Sequence, residues 1–485
     1  MCYALQMRIA MSHFILNNQP VSADVISQHL SRMKAVAAEH PPTVSERISI
    51  LNRCIALLRA HQDALCDAYS QDFGYRAPGN TLVSDILGSI EALRHAAQHL
   101  EQWVPEEQRT SPFPGTRVVV EYKPLGVIGI ISPWNFPLVL TFGPLAGVIA
   151  AGNRAMIKPS ELAENGSRLL CRLIAEYFSA EEISTLQGGI EASKRFASLP
   201  FDHMVFTGST ATGRQIMQAA AENLTPVTLE LGGKSPVVVS RGSNIIQAAQ
   251  RIMTVKTFNA GQICIAPDYV LVHQDDLPTF VEQALAFLHR RFGTFIDNRE
   301  YTSVVNDRQT TRLCTLLDDA RALGATLVRA TEEEDDLPRG RMVPTFVINP
   351  PLTSRIMQEE IFGPLLPVIT YDHLEQCLDL INGMDRPLAA YYFGDDPLEI
   401  AQIRHRILSG ALVINDVMSH VLLHDVPFGG VGASGMGAYH GEIGFKRFSH
   451  ARPVFYQSTG GESNLLMRAP FDDASRRLVA QLINE

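Results

Sequence analysis

The sequence predicts an α/β protein whose parallel sheets are covered by helices on both faces. Short apolar strands alternate with helices between Gly126 and Leu231, and a second alternating block runs from Pro236 to about Ile403. Parallel strands that are buried on both faces are typically continuous apolar runs, as these are. The chain has 485 residues, which is too many for one hydrophobic core, so we expect two or three domains.

Composition and charge exclude several classes of function. Hydrophobic residues make up 46% of the chain and charged residues 19%, as in soluble globular enzymes. The net charge is −10 and no run of Lys or Arg offsets it, which argues against nucleic acid and anionic membranes as partners. No apolar run reaches the roughly 18 residues that a membrane helix needs. The scattered cysteines lack zinc-ligand spacing, which predicts no metal site and favours a reduced, cytoplasmic compartment.

The chain is expected to begin with a flexible extension and a helical region. Residues 1–20 have no secretory-signal pattern and are predicted to be a flexible N-terminal extension. Residues 22 to about 105 are predicted to be helical, with a capping box at Thr43–Glu46. Strands and helices then alternate as far as residue 231. The predicted strands are 117–122, 127–131, 155–157, 203–206 and 227–231, and the predicted helices are 136–151, 163–178 and 212–224.

Three polar motifs follow predicted strands directly. They are Trp134-Asn135, Lys158–Glu161 and Gly208-Ser209-Thr210. Parallel sheets bind ligands beyond the carboxyl ends of their strands, so these motifs are candidate binding positions. The segment 206–213 opens a helix, where free N–H groups favour a phosphate. The alternative is a simple Ser/Thr helix cap, and the residues do not decide between the two.

The other motifs also have two interpretations each. Lys158 and Glu161 fit the two hydroxyls of an adenosine ribose, or a solvated pair in a loop. Asn135 fits an oxyanion donor or a helix N-cap. The Glu359-Glu360 pair fits a binding site or surface charge at a turn. A second glycine-rich run at 427–432 has no basic partner, and we interpret it as a close-packed loop.

One thiol and one carboxylate suggest covalent chemistry. Cys264 ends the string Phe258–Cys264, whose residues are mostly small or polar, and Glu230 lies in the earlier motif Leu229–Lys234. A thiolate is a strong nucleophile, and a carboxylate that takes a proton from water completes a two-step covalent mechanism. A cysteine hydrolase that needs no redox cofactor is one alternative, and an inactive binding protein is another.

Taken together, the motifs resemble those of the aldehyde dehydrogenase family over nearly the whole chain. Six motifs in family order carry the resemblance: 133–137, 158–161, 206–209, 229–234, 261–264 and 360–364. Within the family the chain is most similar to the class 3 branch, in residues 262–269, 415–417 and 427–441. Ile263 and Ile265 replace the more usual Thr and Val, which changes the shape of the pocket more than its chemistry.

The resemblance implies a role for each matching residue. It implies that Cys264 is the nucleophile, that Glu230 activates the hydrolytic water and that Asn135 stabilises the oxyanion. It implies a site for NAD, with NADP possible, in which Glu161 disfavours a 2′-phosphate. The implied cofactor-binding residues are Trp134, Lys158, Glu161, Gly208, Ser209, Thr210, Gly213, Glu360 and Phe362.

The resemblance also implies an architecture and an activity. The fold would contain two Rossmann-like parallel-sheet domains and a small β oligomerisation element, in a homodimer. The implied segments are a helical part of the cofactor domain at 21–116, an oligomerisation strand at 117–124, a Rossmann-like domain at 125–232, a catalytic domain at 233–410 and a return to the cofactor domain at 411–485. The implied reaction oxidises an aldehyde to its acid through a cysteine thiohemiacetal and thioester. The expected substrate is an aromatic aldehyde such as coniferyl aldehyde, and an aliphatic aldehyde is the alternative.

Overall fold

The computed structural model describes residues 23–461 and 467–484, so the predicted extension at 1–20 lies outside the described residues. The described part of the chain begins with helices, as predicted. The capping box is confirmed, because Thr43 Oγ1 accepts from the Glu46 N–H and the Thr43 N–H donates to Glu46 Oε2 at 2.8 Å. The first helices are α1 (Ala23–Glu39), α2 (Val44–Ala60), α3 (Gln62–Asp72) and α4 (Gly88–Trp103), with a short helical turn at Pro78–Asn80 and a π-helix at Thr81–Leu87 before α4.

A six-stranded sheet forms the first α/β layer. Its spatial order is β15-β7-β6-β3-β4-β5, and only β15 runs antiparallel to its neighbour. Its strands are β3 (Val127–Ile131), β4 (Arg154–Lys158), β5 (Ile183–Thr185), β6 (His203–Thr207), β7 (Val227–Glu230) and β15 (Gly435–Met436). The carboxyl ends of β3, β4, β6 and β7 therefore lie along one edge, which is where the polar motifs were predicted to meet.

A seven-stranded sheet forms the second layer. Its order is β10-β11-β12-β9-β8-β13-β14, with β10 antiparallel and the others parallel. Its strands are β8 (Pro236–Val239), β9 (Tyr269–His273), β10 (Thr326–Arg329), β11 (Thr345–Ile348), β12 (Leu365–Tyr371), β13 (Ala389–Phe393) and β14 (Ala411–Ile414). The sheet reaches one strand beyond residue 410, where the catalytic domain was predicted to end. The division into domains stays a prediction.

A small antiparallel sheet stands apart from these two layers. It contains β1 (Glu107–Arg109), β2 (Arg117–Pro124) and β16 (Ser449–Tyr456), in the order β1-β2-β16. β2 and β16 pair over eight positions, from Ser449 opposite Pro124 to Tyr456 opposite Arg117. The sheet thus joins the region after the first helices to a segment near the C-terminus.

Helices cover both larger sheets. The helices after α4 are α5 (Val139–Ala150), α6 (Glu164–Tyr177), α7 (Ile190–Ala197), α8 (Thr210–Ala221), α9 (Ile245–Thr257), α10 (Leu277–Arg291), α11 (Asp307–Ala322), α12 (Arg355–Gln358), α13 (Leu374–Asn382), α14 (Pro397–Arg406), α15 (Gly441–Arg447) and α16 (Asp473–Asn484). In the described part of the chain, no helix combines the length and apolar character that crossing a membrane requires.

The helix predicted at 136–151 begins later than expected. α5 starts at Val139, and its first N–H groups do not meet a side chain from the preceding turn. Instead, the backbone N–H groups of Leu138 and Val139 donate to Asp85 Oδ1 at 2.9 and 3.0 Å. Asp85 is itself fully buried and paired with Arg76, whose Nη2 lies 2.9 Å from Asp85 Oδ2. A distant carboxylate therefore satisfies the helix start, which the local sequence does not reveal.

Candidate active site

A cleft of about 230 Å³ brings most of the predicted site residues together. Eight of the predicted residues line it: Trp134, Asn135, Gly208, Ser209, Glu230, Cys264, Glu360 and Phe362. Sequence analysis missed seven others: Pro133, Leu140, Thr207, Leu231, Gly232, Gln309 and Arg312. Three of the missed residues, Pro133, Thr207 and Leu231, directly adjoin predicted ones. Gln309 and Arg312 come from α11, which carried no motif.

The turn before Cys264 has an unusual backbone. Asn259, Ala260 and Gly261 take positive φ angles of 50°, 52° and 72° in succession. A Cβ on Gly261 would clash with the carbonyl of Gly363, so the position requires glycine. Left-handed conformations at residues other than glycine cost free energy and persist where the surroundings enforce them. The turn therefore presents Cys264 in an orientation that the tertiary structure imposes.

The side chain of Gln262 holds this turn in place. Its Nε2 donates to the carbonyls of Asn259 and Ser303 at 2.9 and 3.1 Å, and its Oε1 accepts from the Val305 N–H at 3.0 Å. Gln262 is fully buried, so each of these bonds replaces a bond to water. The residue two positions before the thiol is thus a structural anchor of the cysteine turn.

The Cys264 residue lines the cleft. The residue is partly exposed. Burial raises the pKa of the thiol to about 12, and the nearby Glu360 and Glu230 carboxylates add to the rise. Because a thiol with this pKa carries its proton at neutral pH, the proton has to leave when the sulfur forms a bond.

Glu230 is a buried carboxylate without a partner. It ends β7 with 2% of its surface exposed, and both of its side-chain oxygens lack a hydrogen-bond partner within the described residues. Burial raises the pKa of Glu230 well above the ordinary value of a glutamate. A carboxylate that is neither paired nor hydrogen-bonded is costly to keep ionised, and it is a correspondingly strong base when it loses its proton.

Asn135 lies beside the cysteine turn. It is buried, and its Nδ2 donates to the Gln262 carbonyl at 3.1 Å, which leaves its second amide hydrogen without a bond in the described structure. Its backbone carbonyl accepts from Asn259 Nδ2 at 3.3 Å. The alternative interpretation of Asn135 as a helix N-cap is wrong, because α5 begins at Val139 and Asp85 accepts from its first N–H groups.

Glu360 is the second carboxylate of the cleft, and it is partly buried. The Gly233 backbone N–H donates to it, and a Cβ on Gly232 would clash with its carboxylate oxygens. Burial is the main cause that raises the pKa of Glu360 to about 8. The interpretation of the Glu359-Glu360 pair as surface charge is therefore wrong for Glu360, while Glu359 does form an exposed ion pair with Arg355.

The segment that carries Glu360 is tied down by two cations. Arg312 donates from Nη1 to the Glu360 carbonyl at 3.1 Å and from Nη2 to the Ile361 carbonyl. Lys234 Nζ donates to the carbonyls of Ile356 and Glu359 at 2.7 and 2.9 Å. We call residues 356–361 the Glu360 segment. The hydrogen bonds from both side chains hold the Glu360 segment beside the cleft.

Asp268 completes these bonds. It forms an ion pair with Lys234, and its Oδ1 accepts from the Ile361 N–H at 2.9 Å. Sequence analysis included Lys234 and Asp268 in the motifs at 229–234 and 262–269 but assigned no role to either residue. Lys234 lies four residues after Glu230, and Asp268 lies four residues after Cys264. This equal spacing could have signalled a shared function.

The remaining predicted residues lie outside the lining of this cleft. Lys158 is 1% exposed, and its Nζ donates to Glu161 Oε2 at 2.7 Å and to the Pro159 carbonyl at 2.9 Å. The Glu161 side chain is 40% exposed. The pair is therefore only half solvated, with its lysine held in a fixed position under an accessible carboxylate.

The start of α8 has the cap that the alternative interpretation predicted. Ser209 Oγ accepts from the Thr212 N–H at 3.3 Å, and Thr210 Oγ1 donates to the Ala433 carbonyl at 2.9 Å. A Cβ on Gly213 would clash with the side chain of Leu231, so this glycine permits close packing of helix and strand. Gly208 and Ser209 still line the cleft, so capping and binding are compatible here.

The second glycine-rich run is a close-packed loop, as predicted. A Cβ on Gly429 would clash with the backbone of Gly437 and Ala438, and one on Gly430 would clash with Ser434. The run therefore allows β15 to pack on the end of β7 beside Glu230.

Comparisons with known proteins agree with this geometry. The model of the "Aldehyde dehydrogenase family" matches residues 26–454. A coniferyl aldehyde dehydrogenase from Pseudomonas sp. (strain HR199 / DSM 7063) is 50% identical over 478 residues, which are 98% of this chain and 99% of that protein. A substrate-bound structure of Staphylococcus aureus AldH is 35% identical, with a TM-score of 0.89, over 94% of this chain and 99% of that one. PnpE from Pseudomonas sp. WBC-3, solved with nicotinamide adenine dinucleotide, is 26% identical, with a TM-score of 0.81, over 89% of this chain and 90% of that one.

Proposed function

The chain belongs to the aldehyde dehydrogenase family, and from this premise we propose that it oxidises an aromatic aldehyde, such as coniferyl aldehyde, to the carboxylic acid. One observation carries the proposal beyond the family: a partly exposed thiol and an unpartnered buried carboxylate share one cleft. The 50% identity to a coniferyl aldehyde dehydrogenase supports the aromatic substrate.

In the first half of the reaction, Cys264 is acylated. Its sulfur bonds to the aldehyde carbon, the thiol proton passes to the Glu230 carboxylate and on to solvent, and the carbonyl oxygen becomes the oxyanion of a thiohemiacetal. The free amide hydrogen of Asn135 and the backbone N–H of Cys264 stabilise this oxyanion, and such a donor contributes about 3 kcal/mol in the transition state. Loss of a hydride from the same carbon then converts the thiohemiacetal into a thioester on Cys264.

In the second half, Glu230 releases the acid. It takes a proton from a water molecule, and the water oxygen bonds to the thioester carbon. The carbon–sulfur bond then breaks, and the proton held by Glu230 passes to the sulfur, which returns the Cys264 thiol and frees the carboxylic acid. The raised pKa of Glu230 suits this role, since a stronger base takes the proton from water more readily.

The residues of the cleft fit a nicotinamide dinucleotide. Such a cofactor, when bound, supplies the hydride acceptor. The partly buried Glu360 carboxylate would accept hydrogen bonds from ribose hydroxyls. Phe362 and Trp134, whose rings lie 5.5 Å apart, would flank the ring system. The accessible Glu161 carboxylate, held by Lys158, would bind the adenosine ribose. Because that carboxylate repels a 2′-phosphate, NAD is the proposed cofactor, with NADP as a weaker one.

The substrate class is tested by NADH formation. Purified protein is supplied with NAD+ and with either coniferaldehyde or hexanal at matched low concentrations. A clear preference for coniferaldehyde supports the proposal. A preference for hexanal would keep the mechanism and replace the substrate by an aliphatic aldehyde. No NADH with either aldehyde would contradict the oxidation of these aldehydes.

We also propose that the protein acts as a homodimer in the cytoplasm. The antiparallel pair of β2 and β16 presents exposed Phe455 and Tyr456, which suits an edge shared between two copies. Six cysteines in the described part of the chain are unpaired, which suits a reducing compartment. Light scattering on the purified protein tests the dimer, and a monomer would contradict it.

A further inference from the structure

A buried ion pair lies behind the residues that flank Asn135. The side chains of Arg76 and Asp85 are both fully buried, and Arg76 Nη2 lies 2.9 Å from Asp85 Oδ2. Removing two charges from water offsets most of what their attraction gains, so such a pair is weak evidence of a role in stability alone. The reaction proposed above makes no use of either side chain.

The carboxylate of Asp85 holds the backbone just after Asn135. Asp85 lies in the π-helix at Thr81–Leu87, and π-helical turns are rare and frequently occur at functional sites. Its Oδ1 reaches a segment 53 residues further along the chain and accepts from the N–H groups of Leu138 and Val139. These are the first N–H groups of the helix that follows Asn135, so Asp85 fixes where that helix begins.

The guanidinium of Arg76 lies over two aromatic rings. Its central carbon is 5.4 Å from the centre of the Phe136 ring and 5.0 Å from that of the Phe73 ring. A cation is attracted to the face of an aromatic ring. Phe136 directly follows Asn135, and the Phe73 ring lies 5.9 Å from that of Trp134, which directly precedes Asn135. Arg76 therefore contacts one neighbour of Asn135 directly and the other through Phe73.

Charge and ring contacts hold the guanidinium. Within the described residues, none of its three nitrogens has a partner with hydrogen-bond geometry, although Nη2 is within ion-pair distance of Asp85. Loss of Asp85 alone would therefore leave Arg76 buried without its ionic partner, which is strongly destabilising. The two residues act as one unit and have to be changed together.

The same contacts continue to the cysteine turn. The Phe136 ring stacks on that of Phe258, at 6.3 Å between ring centres. Phe258 directly precedes the turn, and Asn259 Nδ2 donates to the Asn135 carbonyl at 3.3 Å. The position of Asn135 relative to Cys264 therefore depends on how Phe136 is held.

We propose that the Arg76–Asp85 pair is a positioning device that fixes the amide of Asn135 at the oxyanion site. Asp85 holds the backbone after Asn135, and Arg76 holds the Phe136 ring against Phe258. The inference rests on the proposed function, in which Asn135 donates to the oxyanion. A displacement of about 1 Å in a positioned group can cost about a hundredfold in rate, so two residues that the substrate does not reach affect the first half of the reaction.

The test replaces the pair in two ways. Arg76→Met/Asp85→Leu, the apolar variant, removes both charges and the acceptor for the Leu138 and Val139 N–H groups. Arg76→Met/Asp85→Asn, the amide variant, removes both charges but keeps an acceptor oxygen. Replacing both members of a buried ion pair by uncharged residues of similar size often preserves the fold. The two variants therefore differ mainly in whether the backbone after Asn135 has an acceptor.

The main readout is the rate of the first turnover of NADH. It is measured by stopped-flow absorbance at saturating NAD+, with whichever of coniferaldehyde and hexanal the wild-type protein oxidises faster. We expect this rate to fall at least about tenfold in the apolar variant and by less than about threefold in the amide variant, which keeps the backbone acceptor. Hydrogen exchange followed by mass spectrometry is a second readout, and the amides of Leu138 and Val139 should exchange faster in the apolar variant only.

A double-mutant cycle with Asn135→Ala shows whether the pair acts through Asn135. Once the amide is removed, no side-chain donor remains there to be displaced. The apolar substitutions should therefore lower the first-turnover rate of Asn135→Ala by less than about twofold. A merely structural role would lower the rate by a similar factor in both backgrounds.

A second ion pair provides the matched control. Lys34 Nζ donates to Asp202 Oδ1 at 2.8 Å, and Asp202 Oδ2 accepts from the Val127 N–H at 2.8 Å. Val127 begins β3, so this pair lies at the edge of the sheet opposite the cleft. Lys34→Met/Asp202→Leu makes the same change there and should leave the first-turnover rate unchanged.

Phe136→Leu gives a further measurement if the apolar variant does not fold. It removes the ring between Arg76 and Phe258 and leaves the ion pair in place. Its first-turnover rate is also expected to fall, with no further fall in the Asn135→Ala background.

The outcomes separate this inference from the proposed function. If the wild-type protein forms NADH but the apolar variant and Phe136→Leu keep its first-turnover rate, or lose the same factor with and without the Asn135 amide, the positioning role is wrong and the proposed function stands. An equal loss in the amide and apolar variants would contradict the role of the Asp85 acceptor. If Asn135→Ala leaves the rate unchanged, or the wild-type protein forms no NADH, the proposed function fails at that point and the positioning role fails with it. A loss confined to proteins that retain Asn135, with recovery in the amide variant, supports the inference.

Discussion

The two walls of the cleft differ in whether their carboxylates have hydrogen-bond partners. On one wall, Glu230 has no hydrogen-bond partner in the described structure and lies near the partly exposed Cys264 thiol. On the other wall, Glu360 accepts from the Gly233 N–H, and its segment is tied down by Lys234 and Arg312. We infer from this difference that the carboxylate without a hydrogen-bond partner takes part in the proposed reaction. The carboxylate with a partner belongs to the proposed cofactor-binding surface. Five predictions test this division.

The largest effect is expected for Cys264→Ala. Without the sulfur no covalent bond to the aldehyde can form, so we expect aldehyde-dependent NADH formation to fall by more than about a thousandfold. The fold should be retained, because the residue is partly exposed. NADH absorbance and a circular dichroism spectrum check both points. Cys314→Ala, at another partly exposed cysteine, is the matched control and should stay active.

A comparable loss, confined to one step, is expected for Glu230→Gln. A rapid first turnover of NADH should remain, while the steady-state rate falls by about a hundredfold or more, because no base activates the hydrolytic water. In the wild-type protein this rate should rise with pH as Glu230 loses its proton, above the ordinary range of a glutamate because burial raises its pKa. Stopped-flow absorbance over a pH series measures both. A normal steady-state rate in the variant would remove Glu230 from deacylation, and exposed Glu222→Gln is the control.

A smaller loss is expected for Asn135→Ala. Removal of one oxyanion donor should lower kcat by about a hundredfold to a thousandfold. The change should appear in kcat and not in KM, because the oxyanion exists only after the sulfur has attacked. Steady-state kinetics with NAD+ and coniferaldehyde measures it. An effect on KM alone would assign Asn135 to substrate binding.

On the wall that carries Glu360, Arg312→Met should weaken cofactor binding and leave the chemical step largely intact. The variant loses bonds to the Glu360 and Ile361 carbonyls, so we expect the Kd for NAD+ to rise about tenfold. Calorimetry without aldehyde measures the affinity. Arg308→Met, at an exposed position of the same helix, is the matched control. A fall in kcat with unchanged affinity would remove the distinction between the two walls.

The smallest effect concerns stability. The raised pKa of Glu230 means that the folded protein favours the protonated side chain, so its stability contribution is present below about pH 4.5 and is lost as the pH rises through the folded-state pKa. Glu230→Gln mimics the protonated form. The variant should therefore match the wild-type protein at low pH and be slightly more stable above neutral pH. Thermal unfolding at several pH values checks the sign, and lower stability of the variant at high pH would contradict the unpartnered state of Glu230.

Much of the fold and the site was predictable from the sequence because the signals are local. The capping box at Thr43 needs only a neighbouring glutamate, and apolar runs such as Val127–Ile131 are strands because both of their faces are buried. The motifs around Cys264 and Glu230 resemble those of one family, and the family is confirmed. The domain boundaries and the roles of the site residues stay predictions.

Contacts between distant segments escaped sequence analysis. Asp85 satisfies the start of α5, and Arg312 reaches the Glu360 segment from a helix that carries no motif. The rings of Phe73 and Phe136 meet Arg76 only in the folded chain.

The sequence by itself determined the elements, the family and the identity of the candidate groups, because these depend on residue type and spacing along the chain. Only the tertiary structure decided which of those groups are satisfied. Glu230 and Glu360 are the same residue type in two of the motifs, yet one has no partner in the described structure and the other is hydrogen-bonded to the Gly233 N–H. The protonation and hydrogen bonding of a buried group depend on atoms that come from other parts of the chain, and a one-dimensional pattern does not contain their positions.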